Sequence, residues 1–273
     1  MFAWRALLTR NGAATPGAAA PGAYLTVPAL HRAGIRVAFT TRHGGFSDAT
    51  HASLNLSYPS GDDPSTVRRN RARVLDALGL DQQAWTGGKQ VHGAGVARVT
   101  GAERGAGAEP GTSIPDVDAL WTDEPGIALT VRTADCVPIV VVDPSRPAIA
   151  AIHAGWRGLV AGVVEAAVEA MGGGDGTIAF VGPSIGPCCY EVGEEVAEQA
   201  RAALGDDVVR VGSRERPHVD LWRGTTIALR RAGLQDARST MLCTRCEPHR
   251  FYSHRAGDTG RQALVATIAG AGT

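Results

Sequence analysis

The sequence has no uninterrupted apolar run near the ~20 residues that a helix needs to cross a bilayer. It also has no excess of charge of one sign, because Lys+Arg and Asp+Glu each number 27. Proteins that bind nucleic acids or membrane surfaces usually carry a basic excess, so we expect neither as a partner. The chain of 273 residues, 44% of them apolar, is long enough to bury a substantial core and is predicted to be soluble and globular.

Cysteine is scarce as well. The chain has five cysteines, and an odd number in a chain of this length is a poor basis for a disulfide framework. Free thiols or metal ligands in a reducing compartment fit better, so the protein is expected to be cytoplasmic. The apolar stretch between Arg5 and Arg10 is shorter than a signal peptide requires. We therefore predict a flexible tail over residues 1–23 and a single domain over residues 24–273.

Apolar runs with the periods of strands and helices alternate along the chain. Strands are predicted at residues 35–42, 127–132, 137–143 and 148–153. Helices are predicted at residues 63–80, 159–171, 192–204 and 221–232. The Gly-rich segment 101–115 is predicted to be a surface loop, one that could lie over a site. This interleaving predicts an α+β fold of the mixed α/β type.

Two reactive side chains mark the ends of one predicted hairpin. Only residues 143–147 join the apolar runs around them, which is too short for a parallel crossover, so the strands must be antiparallel. With the turn centred between Pro144 and Ser145, Cys136 faces His153 at a Cβ separation of ~5 Å. Such a pair suits a shared metal ion or a thiolate–imidazole pair. The alternative is an inert buried cysteine beside a hydrogen-bonded histidine.

The neighbouring residues favour a functional site. His153 opens the stretch HAGWRG, in which two glycines allow close backbone approach and Arg157 stands at a helix start, as in an anion site. Asp135 precedes the cysteine. The stretch GGKQVHGAG offers His92 as a third ligand, although spacing alone does not link it to the pair. Two histidines, one cysteine and an open position are typical of a catalytic zinc site, where the metal activates water or polarises a substrate oxygen.

At these residues the chain resembles the laccase-domain family, also called polyphenol oxidase-like or peptidoglycan editing factor proteins. Members of that family are described as zinc-dependent purine nucleoside phosphorylases. The resemblance covers nearly the whole body of the chain in a consistent order. It rests on the blocks FTTRHGGFS (39–47), SLNL (53–56), GDDPSTVRRNR (61–71), KQVHG (89–93), DVDAL (116–120), TADCVPI (133–139), HAGWRG (153–158), GPSIGPCCYEVG (182–193) and SHRAGDTGR (253–261).

The resemblance implies a zinc ion held by His92, Cys136 and His153, which would also be the catalytic residues. It implies a layered α/β/β/α sandwich similar to the catalytic domain of cytotoxic necrotizing toxins. It further implies phosphorolysis of adenosine, inosine, guanosine and methylthioadenosine, together with deamination of adenosine. Purine nucleosides and inorganic phosphate are then the expected partners, and we expect a monomer or a weak homodimer.

Phosphorolysis needs a phosphate close to the anomeric carbon and stabilisation of the leaving purine. The cationic residues predicted for the phosphate are Arg42, Lys89 and Arg157, with Arg255 and Arg261 as weaker candidates. The polar residues predicted to complete the substrate site are Asn55, Gln90 and Asp135. For each arginine, a solvated surface charge is the alternative interpretation.

Three other functions are open. Copper is less favoured than zinc, because a multicopper centre needs many imidazoles and the chain has eight histidines with no His-x-His pair. Cys136 and His153 could instead form a thiol hydrolase that edits peptidoglycan precursors. A non-enzymatic partner of cell-division proteins is the third alternative, and Gly-lined polar motifs disfavour it.

Cysteines outside the predicted zinc site form a C-x-x-C motif, Cys243 to Cys246, and an adjacent pair, Cys188 and Cys189. A lone C-x-x-C is a moderate metal signal, and we interpret this one as a loop or strand end without metal. We interpret the adjacent pair as part of a loop that shapes the pocket, since neighbouring cysteines do not easily bind one ion.

Overall fold

The computed structural model describes residues 1–6, 24–174, 176–212 and 216–270. Its strands form two six-stranded mixed sheets. The first sheet has, in spatial order, β1 (Ala3–Arg5), β2 (Tyr24–Thr26), β3 (Ile35–Thr40), β14 (Gln262–Ile268), β7 (Ala128–Thr133) and β4 (Trp85–Gly87). Its neighbours are antiparallel except for β7 and β4, which are parallel.

The second sheet carries the predicted hairpin at its centre. In spatial order it has β13 (Asp236–Ser239), β10 (Ile178–Val181), β8 (Val137–Asp143), β9 (Ala148–Ala154), β6 (Ala119–Thr122) and β5 (Val96–Arg98). Both edge strands are parallel to their neighbours, and the inner pairs are antiparallel. A separate two-stranded ribbon joins β11 (Val209–Val211) to β12 (Pro217–Val219).

Helices cover the outer face of each sheet. They are α1 (Pro64–Ala77), α2 (Trp156–Val160), α3 (Val163–Met171), α4 (Glu194–Leu204) and α5 (Leu221–Arg231). Among the described residues, none of these helices is long and apolar enough to span a membrane. Helix α1 begins where the sequence predicts, because the Asp63 carboxylate accepts a hydrogen bond from the backbone N–H of Thr66 and Pro64 starts the first turn.

Three apolar cores separate these layers. The central core lies between the sheets and combines Phe39 and Leu264 of the first sheet with Val140 and Phe180 of the second. The outer face of the first sheet packs on α1, and the outer face of the second packs on α2 to α5. The order is therefore α/β/β/α, and the predicted mixed α/β class is confirmed.

The hairpin is antiparallel as predicted, but its register is different. Asp143 pairs with Ala148 and Pro138 pairs with His153, so the turn is two residues longer than the predicted one, and Cys136 does not face His153 directly. Side chains alternate between faces with a period of two, so this even shift leaves Cys136 and His153 on the same face. The predicted register is wrong, but Cys136 and His153 are close together as predicted.

Two other boundaries differ from the sequence interpretation. Residues within the predicted tail form the edge strand β1, which pairs antiparallel with β2, and Phe2 packs against the central core. The rest of that tail, residues 7–23, lies outside the described residues. The predicted helix at residues 159–171 is two helices, because Gly162 adopts a left-handed backbone with φ 81° that interrupts the helical path.

The Gly-rich loop 101–115 is held by a buried arginine of α1. Arg71 is 3% exposed and donates hydrogen bonds to the carbonyls of Leu56 and Gly107. Its guanidinium also stacks on the rings of Tyr58 and Trp85 at 4.1 and 4.4 Å. Helix α1 therefore determines where this loop lies.

Replacing Arg71 by Met should lower the free energy of unfolding by about 3 kcal/mol, because two carbonyls lose their donor while the apolar stem is retained. Urea unfolding measures the change. Arg68→Met is the matched control, since Arg68 reaches Glu109 of the same loop through an exposed ion pair, which should contribute at most about 1 kcal/mol. Equal losses in both variants would contradict the anchoring role of Arg71.

Candidate functional site

Three side chains predicted as metal ligands lie together at one end of the second sheet. The ligand atoms of His92, Cys136 and His153 are all within 4.8 Å of one another. His153 lies on β9, Cys136 immediately precedes β8, and His92 lies in the loop between β4 and β5. The two imidazole rings meet edge to face with centroids 4.9 Å apart. One thiol and two imidazoles form a donor set that suits a single zinc or copper ion.

A carboxylate of the neighbouring segment shapes the loop that carries His92. The carboxylate of Asp118 accepts hydrogen bonds from the backbone N–H groups of Val91, His92 and Gly93, at 3.0, 2.9 and 2.9 Å. His92 itself has a left-handed backbone with φ 62°, which is uncommon for a residue with a side chain. Three hydrogen bonds to one carboxylate offset the cost of that conformation and direct the loop towards β9.

The same carboxylate orients the second histidine. The side chains of Asp118 and His153 are 0% and 3% exposed, and Nδ1 of His153 donates to Asp118 at 2.7 Å. The backbone N–H of His153 also donates to the carbonyl of Asp118, at 2.7 Å. Because Nδ1 is occupied in this way, Nε2 is the nitrogen that can face Cys136 or a metal.

Proton affinities in the site are strongly shifted. Desolvation disfavours the Cys136 thiolate, but the positive charge of His153 and hydrogen bonds from His153 and His92 outweigh it and lower the pKa of Cys136 to about 6. Desolvation also disfavours a charged His153, yet the thiolate and Asp118 raise the pKa of His153 to about 9. Without a metal, the two groups therefore form a thiolate–imidazolium pair near neutral pH.

The three ligands open onto a cavity of about 700 Å³ between the ends of the two sheets. That volume is within the usual range for a small-molecule site. Its cationic and imidazole lining, apart from the ligands, consists of Lys89, Arg132, His254 and Arg261. Its other polar lining includes Ser57, Tyr58, Gln90, Glu109 and Ser113. Residues 109–111 and 113 of the Gly-rich loop therefore form part of the cavity wall, in agreement with the predicted position of that loop over a site.

Two of the predicted substrate residues, Lys89 and Gln90, line this cavity. Lys89 is the single lysine of the chain and lies 3.3 Å from a carboxylate oxygen of Asp116, with both side chains exposed. The amide of Gln90 donates to the carbonyl of Arg132 at 2.8 Å and accepts from its backbone N–H at 3.0 Å. Gln90 therefore holds the backbone of β7 next to the cavity.

Two other predicted residues hold loops and do not line the cavity. Arg42 donates to the carbonyls of Ala52 and Pro248, and so connects distant loops. Asn55 is fully buried, and its amide donates to the side chains of Ser60 and Asp62. Neither Arg42 nor Asn55 belongs to the cavity lining described above. Their contact with substrate therefore stays a prediction.

Asp135 and Arg157 are also outside the cavity lining. Asp135 has φ 90°, and its carboxylate accepts from the hydroxyl of Thr244 at 2.6 Å and from the backbone N–H of Arg255 at 2.7 Å. Arg157 is exposed and stacks on the ring of Trp156. Asp135 thereby holds the segment that leads to His254, one of the cavity residues.

Asp118, Arg132 and His254 belong to the site, but no sequence pattern used above predicts a role for them. Asp118 lies in the block DVDAL. Arg132 ends an apolar strand, and a charged residue at the end of a buried run could have indicated a site there. His254 was visible only as part of a C-terminal block. Their roles depend on which strand ends and loops come together, and this is a property of the fold.

The sequence model of the family described as multi-copper polyphenol oxidoreductase laccase matches residues 36–269. The chain belongs to this family. A purine nucleoside phosphorylase of Geobacillus stearothermophilus, YlmD, is 38% identical over 243 residues, which cover 84% of this chain and 88% of that protein. The purine nucleoside phosphorylase PA4543 of Pseudomonas aeruginosa is 38% identical over 251 residues, with 90% and 98% covered.

Solved structures agree with this laccase-family assignment. The crystal structure of YlmD from Geobacillus stearothermophilus superposes with a TM-score of 0.85 at 35% identity, covering 91% of this chain and 97% of that one. The Neisseria meningitidis protein NMB0706 superposes with a TM-score of 0.78 at 33% identity, covering 91% and 100%. The predicted family resemblance and the fold it implies are therefore confirmed.

Replacing Asp118 by Asn should weaken metal binding at the three ligands about 10- to 100-fold, because the partner that orients His153 loses its charge. A competition titration with a chromogenic chelator measures the affinity. Asp116→Asn is the matched control, since its exposed carboxylate pairs with Lys89 and not with a ligand. Unchanged affinity in the Asp118 variant would show that the carboxylate does not support the metal.

In metal-free protein, alkylation of Cys136 by iodoacetamide should be half-maximal near pH 6, instead of near the ordinary thiol value of ~8.5. The lowered pKa keeps the thiolate present as the pH falls, and its reactivity disappears only below about pH 6. Peptide mass spectrometry identifies the labelled cysteine. His153→Ala should move the midpoint upwards, and a wild-type midpoint at the ordinary value would refute the ion pair.

Proposed function

We propose that the chain is a zinc-dependent purine nucleoside phosphorylase. It would convert adenosine, inosine, guanosine or methylthioadenosine, with inorganic phosphate, into the free base and the corresponding ribose-1-phosphate. The observation that carries the proposal is one cavity in which a thiol–imidazole ligand group lies beside several cationic side chains. The names of the curated relatives support the same activity.

His92, Cys136 and His153 would hold the metal. They fit zinc because the donors are one sulfur and two imidazole nitrogens, and because Asp118 supports the buried histidine. Three protein ligands leave a position open, and a bound zinc supplies Lewis-acid polarisation there. Copper is the second choice. The free thiols of the ligand group and of the rest of the chain suit a reducing compartment such as the cytoplasm.

The phosphate would bind at the cationic wall formed by Arg132, Arg261 and Lys89. Burial removes water from both guanidinium groups and thereby lowers the pKa of Arg132 and that of Arg261. Among the described residues, no carboxylate forms an ion pair with Arg132, and its side chain donates to the carbonyl of Gly88. A desolvated cation without a carboxylate partner favours a bound anion.

The nucleoside would occupy the space between this wall and the Gly-rich loop. Tyr58 donates its hydroxyl to the carbonyl of Ala108, which fixes the ring at the cavity edge. Ser57, Ser113 and Glu109 offer hydrogen-bonding groups in the lining of the same cavity. Enclosing the reactants in this way supplies the orientation on which phosphorolysis depends.

We include adenosine deamination in the proposal, because a Lewis-acid site beside a purine pocket also suits hydrolytic attack at C6. The two reactions differ in their need for phosphate. Variants of the cationic wall should therefore affect phosphorolysis more than deamination.

A Cys/His hydrolase that edits peptidoglycan precursors is the second candidate function. The thiol of Cys136, whose pKa is lowered, contacts the imidazole of His153, and that imidazole contacts the orienting carboxylate of Asp118. Nucleophilic catalysis by a thiol requires such a chain of three groups. The position of His92 beside the same thiol favours the metal site instead. A nucleophilic Cys136 must be alkylatable in the active protein, whereas a ligating Cys136 is protected by the metal.

Zinc-analysed protein incubated with adenosine and phosphate should release adenine and ribose-1-phosphate, while Cys136→Ala should lose both the zinc and the activity. Chromatography separates adenine from inosine, and inosine formed without phosphate reports deamination. Zinc-loaded wild type that forms neither adenine nor inosine would refute the nucleoside proposal and favour the hydrolase.

Arg132→Met and Arg261→Met should each raise KM for phosphate at least tenfold, because a lost charge-assisted hydrogen bond is worth about 1.5–3 kcal/mol. Steady-state kinetics with varied phosphate measures the effect, and deamination serves as the internal reference. Arg98→Met is the control, since Arg98 forms an exposed ion pair with Asp123. An unchanged KM in both wall variants would place the phosphate elsewhere.

A further inference from the structure

Four cysteines that the sequence analysis left without a metal lie together in the structure. Sγ atoms of Cys188, Cys189, Cys243 and Cys246 are all within 4.8 Å of one another. The Sγ atom of Cys246 lies 3.5 Å from that of Cys188 and 3.4 Å from that of Cys189. All four are free cysteines. The remaining cysteine, Cys136, belongs to the site described above, so this is a separate group.

Adjacent cysteines do not easily bind one ion, but here the Sγ atoms of Cys188 and Cys189 lie within 4.8 Å of each other and of the other two sulfurs, so the spacing suits one tetrahedral ion. Four thiolates at the usual Zn–S distance of ~2.3 Å lie ~3.8 Å from one another. The observed separations of 3.4 and 3.5 Å and the upper limit of 4.8 Å bracket that value. Four sulfur donors without imidazole or carboxylate are typical of a structural zinc site, in which no position remains open for substrate.

The backbone around the sulfurs is held independently of any ion. Segments 184 and 242–244 pair as neighbouring strands do: the backbone N–H of Ser184 donates to Leu242 at 3.1 Å, and that of Thr244 donates back to Ser184 at 3.1 Å. The backbone N–H of Gly186 donates to Sγ of Cys243 at 3.2 Å. Backbone donors to sulfur are the outer-shell support that thiolate ligands use. These backbone hydrogen bonds therefore preorganise the four thiols.

We propose that Cys188, Cys189, Cys243 and Cys246 bind one structural zinc ion, distinct from the ion proposed at His92, Cys136 and His153. The ion joins two loops that are far apart in the sequence. Cys188 and Cys246 are exposed and Cys243 is buried, so the ion would lie near the surface.

The two loops so joined also support the cavity. The backbone N–H of Ile185 donates to the carbonyl of Asp135 at 2.9 Å, and the hydroxyl of Thr244 donates to its carboxylate at 2.6 Å. Asp135 directly precedes Cys136. A zinc ion that holds these loops together therefore stabilises the segment carrying one ligand of the other site, without itself contacting substrate.

Metal analysis of the full chain tests the proposal. Protein equilibrated with zinc and then freed of unbound metal should contain two zinc ions per chain by elemental mass spectrometry. The His92→Ala/His153→Ala variant should retain one, and Cys188→Ser/Cys246→Ser should also retain one. Arg245→Ala is the matched control and should retain two, because Arg245 is an exposed residue between Cys243 and Cys246. A His92→Ala/His153→Ala variant without zinc would overturn the proposal.

Cobalt distinguishes the four-sulfur site from the other one. In the His92→Ala/His153→Ala variant, bound Co²⁺ should give an intense sulfur-to-metal charge-transfer band, since its intensity grows with the number of thiolates. The band should disappear when Cys188→Ser/Cys246→Ser is added. Intact mass spectrometry of protein purified without oxygen should show every thiol reduced, and a disulfide among these four cysteines would overturn the proposal.

A fold defect in the serine variants does not obscure the result, because zinc in the His92→Ala/His153→Ala variant is measured with all four cysteines present. In that variant, zinc should raise the thermal midpoint, and a chelator should reverse the increase. An unchanged midpoint would contradict a structural role for the ion. The proposed phosphorylase activity can fail without affecting any of these measurements.

Discussion

A single buried carboxylate connects the elements that form the active cavity. Asp118 accepts hydrogen bonds from the backbone of Val91, His92 and Gly93 and from the ring of His153. A buried carboxylate is costly unless several donors satisfy it, and here four donors do. Burial opposes the charge, but these hydrogen bonds keep the pKa of Asp118 below its ordinary value. The loop, β6 and β9 are therefore held together by one charge.

The two sheets contribute different chemistry to the cavity. The second sheet supplies the sulfur donor, just before β8, and one imidazole, near the end of β9, and the loop between β4 and β5 supplies the other imidazole. The first sheet supplies Arg132 at the end of β7 and Arg261 just before β14. Because the sheets pack through an apolar core, their ends meet at one edge, where polar groups can face each other away from that core. Soft donors and cations thereby line one space.

Asp135 relates the cavity to the loops behind it. Its left-handed backbone turns the chain just before Cys136, and its carboxylate accepts from Thr244 and Arg255. Thr244 directly follows Cys243, and Arg255 directly follows His254. Asp135 therefore joins the segment of the thiol ligand Cys136 to the cysteine cluster and to the cavity wall. The carboxylate of Asp135, which is predicted to bind substrate, thus accepts hydrogen bonds from two loops of the protein.

The sequence by itself determined the mixed α/β class, the antiparallel hairpin of β8 and β9, and the start of α1, because apolar periodicity, short connections and capping residues act over a few neighbouring positions. It also indicated Cys136 and His153, since an even shift in register keeps both on one face. Only the tertiary structure decided the register itself. It also brought His92 close to Cys136 and His153. It brought together four cysteines from two loops that are more than 50 residues apart, and no local sequence pattern predicts that these loops meet. Long-range packing determines which strand ends and loops meet, and the spacing of residues along one chain does not contain that information.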